Sequence, residues 1–134
     1  MPFAELSDLA AIRAFVHTTA GSLGARPEAV DDLVLAVDDA AANVITHGYG
    51  GRGGPLEVEV SGDGLEVVVR LRDRAPLFDP TARPAPDLRV PLGRRAPGGL
   101  GIYLARVSVD RMEHRRRRGH GNELTLALKL SPDV

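Results

Sequence analysis

The sequence contains no cysteine and no tryptophan, has a single lysine (Lys129), and holds only 4% aromatic residues. Without cysteine, disulfides, thiolate metal sites and cysteine nucleophiles are excluded. So few aromatic rings argue against stacking platforms for single-stranded nucleic acid or carbohydrate. With 17 Lys and Arg against 18 Asp and Glu, the formal net charge of −1 gives no general affinity for polyanions. No apolar run approaches the roughly 18 residues of a membrane span, and Met1 to Leu6 shows no basic stretch followed by an apolar block. The expectation is a cytoplasmic protein that binds neither nucleic acid nor a membrane. What is present is ordinary: 134 residues, 43% hydrophobic and 26% charged, which suits a single domain over residues 1–134.

Apolar periodicity divides the chain into helices and hairpins. Ser7 suits the N-cap of a helix running to about Ala20, with Leu9, Ile12, Phe15 and Val16 at helical spacing. A second helix opens at Pro27 and runs to about His47, with Val30, Leu33, Val34, Val37, Ala41 and Val44 as its apolar face. The glycine-rich stretch Gly48 to Gly54 ends it. Leu56, Val58 and Val60 then alternate, as do Leu65, Val67, Val69 and Leu71, and Gly62-Asp63-Gly64 joins the two runs as an antiparallel hairpin. From Arg74 to Gly99 the chain carries six of its ten prolines and no sustained period, the mark of a long functional loop. A short helix over Leu100 to about Val109 follows, with Leu100, Leu104 and Val107 on one side. Met112 to Arg118 and the alternating Leu124, Leu126, Leu128 and Leu130 close the chain as a second hairpin. This order predicts an α+β fold: a two-layer α/β sandwich, its sheet mostly antiparallel and its helices on one face. The strand, glycine-rich turn and helix unit of a P-loop or Rossmann protein is missing.

Three groups of residues have chemistry to offer. Asp39 and Asn43 lie four apart on the second helix and share one side, roughly opposite the Val30, Val37, Val44 stripe. A carboxylate and an amide oxygen one turn apart suit magnesium and an attacking hydroxyl; a solvated helix face is the simpler alternative. Asp73 ends the strand from Leu65 with the parity of its apolar residues, so it should face the helical layer and need a donor there. A purine exocyclic amine would serve, as would a strand-end turn with Arg74. Gly98-Gly99-Leu100-Gly101 leads into a helix whose free N–H groups could meet phosphate, or simply makes a turn. Arg115 to Arg118 read as a solvated edge strand, His114 and His120 are placed too weakly for a metal site, and His17 and His47 read as packing or capping residues rather than catalysts.

In chain order, Asp39-Ala40-Ala41-Ala42-Asn43 through His47 to Tyr49, then Asp73-Arg74-Ala75-Pro76-Leu77-Phe78-Asp79-Pro80, then Gly98 to Gly101 resemble the N, G1 and G2 boxes of one family. It is the anti-sigma-factor serine/threonine kinases, within the ATPase superfamily of gyrase, the heat-shock chaperone, histidine kinases and the mismatch-repair ATPase. The resemblance spans Ser7 to Leu130. It implies the histidine-kinase-like ATPase fold, and a homodimer that holds a sigma factor away from RNA polymerase and phosphorylates a small antagonist protein. It also implies ATP and Mg²⁺ as cofactors, with Asn43 on the metal, Asp39 as catalytic base and Asp73 on the adenine amine. Ala75 lies in the G1 box, Gly99, Leu100 and Gly101 open the phosphate-binding helix, and residues 74–99 form the ATP lid. An alternative is a sequestering module that holds its partner without phosphoryl transfer.

The chain departs from the family pattern in four places. Asp39 stands where glutamate is usual, one methylene shorter. Ala75 takes the usual place of a glycine, bringing a methyl group where a positive φ or close approach to adenine would count against it. The edge strand before the first helix is reduced to Met1 to Leu6. Asn122 stands where threonine often follows the glycine.

Overall fold

The computed structural model describes residues 1–79 and 105–130. A single turn of 3-10 helix, Leu6–Asp8, leads into α1 (Leu9–Ser22), and α2 spans Pro27–Asn43. Pro27 takes the first helical position after an extended Arg26, where its missing N–H has no partner to lose. Ser7 caps nothing. It lies inside the 3-10 turn, whose ends are closed instead by a capping box between Glu5 and Asp8.

Four strands follow, β1 (Leu56–Gly62), β2 (Glu66–Asp73), β3 (Arg111–Arg116) and β4 (Asn122–Lys129), in one sheet of order β1-β2-β4-β3. Every pairing is antiparallel. The first hairpin closes through Asp63, whose Oδ1 accepts from the N–H groups of Leu65 and Glu66 at 2.8 and 3.0 Å. Strand alternation decides which face is dry. Val67, Val69 and Leu71 of β2 pair with Leu128, Leu126 and Leu124 of β4, and all six are buried against the helices. Burial of each such side chain contributes about 1.5–3 kcal/mol.

The opposite face is a lattice of charge. Arg72 Nε donates to Glu123 Oε2 at 2.7 Å, Arg115 reaches Glu123 Oε1 at 2.9 Å and Arg70 reaches Glu59 at 3.2 Å. The bond from Arg72 is the largest cause holding the Glu123 carboxyl below its usual range. β3 is an edge strand with Arg115 and Arg116 exposed, as the arginine run predicts. On the other edge, Ala4 and Gly54 exchange backbone hydrogen bonds of 2.7 and 3.0 Å, a single bridge in place of a full strand.

Three predicted apolar positions turn outward. Phe15 is 47% exposed because Ile12, Val16 and Ala20 already form the inward row of α1. Leu65 is 57% exposed in the hairpin turn, and Val107 is 59% exposed because Ala105 and Val109, four apart, take the inward side. Residues 105–108 are helical, whereas Leu100 and Leu104 of the predicted short helix lie outside the described residues. Among the described residues, no helix is long and apolar enough to cross a membrane.

Candidate functional site

The inner end of α2 carries small side chains. Ala36, Ala40 and Ala41 are buried together with Val30, Leu33 and Val37, so the dry stripe is wider than the valines alone suggest. It also includes Asn43, only 8% exposed rather than on a solvated side. Past Asn43 the helix widens into a π turn, Val44–Gly48, closed by Tyr49 N–H donating to Val44 O at 2.8 Å. The Tyr49 hydroxyl then donates to Pro55 O at 2.6 Å and accepts from Arg74 N–H at 2.7 Å. Burial raises the Tyr49 pKa, so the hydroxyl keeps its proton at neutral pH. That clamp joins the end of α2 to the end of β2.

Asp73 closes β2 and is 3% exposed, inward as its parity predicts. Its Oδ1 accepts from Ala75 N–H and from Asn122 Nδ2, both at 2.9 Å, and Arg117 Nη1 donates to its carbonyl at 3.1 Å. Oδ2 is the oxygen that none of these bonds takes. Ala75 is buried, and no non-glycine residue among those described has a positive φ, so its methyl carries no backbone strain. The space comes from across the site: a Cβ built on Gly48 would lie 2.8 Å from the Ala75 Cβ.

These groups line one cavity of about 220 Å³, walled by Asn43, His47, Asp73, Phe78, His114 and Asn122 among others. Asn43 lines it, and its Oδ1 is buried and finds no hydrogen-bond partner among the described residues. An orphaned amide oxygen of that kind costs about 1–3 kcal/mol, so it marks a place where a ligand completes the site. A hard cation fits the donor: magnesium takes oxygen ligands and accepts few from protein when phosphates supply the rest. Among the described residues no three His, Cys, Asp or Glu side chains gather to hold a metal by themselves.

Asp39 does not line the cavity. It sits one helical turn before Asn43, half-buried, with its pKa raised first by burial and then by the negative charge of Asp38. Ala75 and Asp73 meet Asn43 at the cavity, while Gly99, Leu100 and Gly101, and the 74–99 segment beyond Asp79, lie outside the described residues. Sequence reasoning missed His114 and Gly48 as site residues, and read Asn122 only as a departure from a usual threonine. Met112 and His114 share a strand parity, and that alternation alone points His114 inward.

A helix-plus-sheet sandwich with an asparagine at a helix end and an aspartate at a facing strand end is consistent with a class of ATPase domain, and comparison with known sequences shows that class. The chain belongs to the histidine kinase-like ATPase domain family, whose sequence profile matches residues 3–128. Among curated relatives, the "Serine-protein kinase RsbW" of Bacillus pumilus is 30% identical over 118 residues, covering 81% of this chain and 71% of the relative. The "Serine/threonine-protein kinase BtrW" of Bordetella bronchiseptica is 29% identical over 102 residues, 75% of this chain and 71% of the relative. The "Anti-sigma F factor" of Clostridium acetobutylicum is 26% identical over 130 residues, 89% of this chain and 83% of the relative.

Proposed function

We propose that this chain is an ATP- and Mg²⁺-dependent serine/threonine protein kinase of the anti-sigma type, which binds a sigma factor and phosphorylates its antagonist protein. The observation that carries the reading is that Asn43, whose buried Oδ1 has no partner among the described residues, lines the same cavity as Asp73. In this reading Asp73 receives the adenine amine on Oδ2, and Asn43 Oδ1 would hold magnesium together with the triphosphate. The ion would supply charge neutralisation at the phosphates, on which phosphoryl transfer mainly depends. In the same reading Gly99 and Gly101, which lie outside the described residues, would offer backbone N–H groups to the phosphates. Asp39 takes the proton of the attacking serine or threonine hydroxyl, and burial beside Asp38 makes it a stronger base than an ordinary aspartate.

A second reading, sequestration of the partner without phosphoryl transfer, is favoured by one observation: Asp39 stands outside the cavity wall. Incubation with γ-labelled ATP, Mg²⁺ and an antagonist domain separates the two. The kinase reading expects label on an antagonist serine or threonine, at least about 100-fold less of it with Asn43→Ala, and equal or greater labelling with Asp39→Glu. Tight ATP binding with no label on any antagonist supports sequestration instead.

A further inference from the structure

The outer face of the sheet carries a row of alternating charge across all four strands. Register sets Glu57 of β1 opposite Arg72 of β2, Arg72 opposite Glu123 of β4, and Glu123 opposite Arg115 of β3. Each arginine in that row has a carboxylate: Arg72 reaches Glu57 at 3.5 Å and Glu123 at 2.7 Å, and Arg115 reaches Glu123 at 2.9 Å. Past the row, toward the β3–β4 turn, the pattern breaks. Arg74, Arg116, Arg117 and Arg118 form no ion pair among the described residues, and they share one basin of about 510 Å³ with the end of that row. Two of these guanidiniums are held by neutral acceptors: Arg74 Nη1 donates to His120 O at 2.8 Å, and Arg117 Nη1 donates to Asp73 O at 3.1 Å. A carbonyl orients a guanidinium without cancelling its charge and leaves its other N–H donors available. The backbone N–H of Arg117 also donates to Gly121 O at 3.0 Å, which fixes where the hairpin holds Arg116 and Arg118.

Like charges gathered on one face repel one another, and a bound anion removes that repulsion. Arginine forks match carboxylates in bidentate pairs, and guanidiniums already oriented lose little freedom on binding. We propose that this basin is a docking surface for a short acidic segment of a partner protein, a few Asp or Glu side chains long. Its borders favour such a segment over nucleic acid. Glu57 and Glu59 are exposed on β1 and Glu113 is exposed on β3, so a phosphate backbone laid along the sheet would run from arginines onto carboxylates. A compact cluster of carboxylates confined to the basin meets no such barrier. The basin shares no lining residue with the cavity of Asn43 and Asp73, so the docking surface is independent of the nucleotide reading.

The probe is a fluorescein-labelled peptide with a short run of glutamates between Gly and Ser residues, titrated with the full chain and read by fluorescence anisotropy. The wild type should bind it, and more weakly as salt rises. Arg116→Glu combined with Arg118→Glu should weaken binding at least about tenfold, because attractions become repulsions. Both side chains are exposed, so the fold survives their reversal. Arg26→Glu combined with Arg52→Glu changes the net charge equally at exposed positions outside the basin. That variant should stay within about twofold of the wild type at physiological salt, where screening confines attraction to nearby charges. An equal loss in the two double variants would reveal attraction to net charge alone and overturns the proposal, as does a wild type that binds no peptide at low salt. Duplex DNA and tripolyphosphate test the other occupants. Tighter binding of either one, lost on reversal of Arg116 and Arg118, assigns the basin to phosphate and rules out the acidic segment. Displacement of the peptide by ATP and Mg²⁺ would likewise overturn it, by returning the arginines to the nucleotide site.

Discussion

Under the proposed function, a single ionisation at Asp39 would link stability to phosphoryl transfer. Burial and the neighbouring Asp38 charge raise its pKa above the ordinary value of 3.8. Its folded-state pKa therefore exceeds its unfolded one, and the stability associated with the protonated form is fully present below the unfolded value. That stability is lost as pH rises through the folded value. At pH 7 the ionised carboxylate consequently works against folding. Asp39→Asn should raise Tm at pH 7 while abolishing phosphoryl transfer, and the gain in Tm should vanish in melts carried out below about pH 4. The acid limb of the transfer rate should likewise move to lower pH in Asp38→Asn, which removes one of the two causes of the shift. Asn43 has the same character in a neutral group, since its Oδ1 has no partner among the described residues and pairing it with a ligand would recover stability.

Between elements, the contact of Gly48 with Ala75 holds the π turn after α2 against the segment after β2. Gly48→Ala would bring two methyl carbons within 2.8 Å, an overlap that costs about 1–3 kcal/mol. Ala75→Gly in the same chain should recover most of that loss, and thermal melts of the four proteins in the cycle measure the coupling. Gly121 is held more tightly still: its φ is +116°, and a Cβ there would collide with the Asp73 carbonyl. Gly121→Ala should cost about 2 kcal/mol or more and weaken nucleotide binding, because the strand end carrying Asp73 must move. Much of this level was legible in the sequence. Alternation in Val67, Val69, Leu71 and in Leu124, Leu126, Leu128 gave both central strands and their dry faces, and parity turned Asp73 inward. Phe15 and Val16 are adjacent and both apolar, so spacing did not say which of them would face the sheet. Parity also points His114 inward, but its partner Asn122 is set by strand register, and Gly48 was illegible because its partner Ala75 is set by the path of the chain after β2.

At the scale of the molecule, the sheet brings together residues far apart along the chain. The β2–β4 pairing places Asn122 beside Asp73, 49 residues away, and the packing of α2 on the sheet brings Asn43 to the same cavity. The domain is thus a frame that brings an asparagine and an aspartate to one cavity, with a charged outer face kept apart from it. Exposed ion pairs of the Arg70 and Glu59 kind contribute about 0–1 kcal/mol each, so burial on the inner face carries the frame. The most direct test of this account is a titration of the full chain with ATP, with and without Mg²⁺, repeated for Asn43→Ala. Magnesium should tighten binding to the wild type at least about tenfold and leave the variant almost unaffected. Equal dependence on magnesium in the two proteins would contradict the assignment of Asn43, and with it the site.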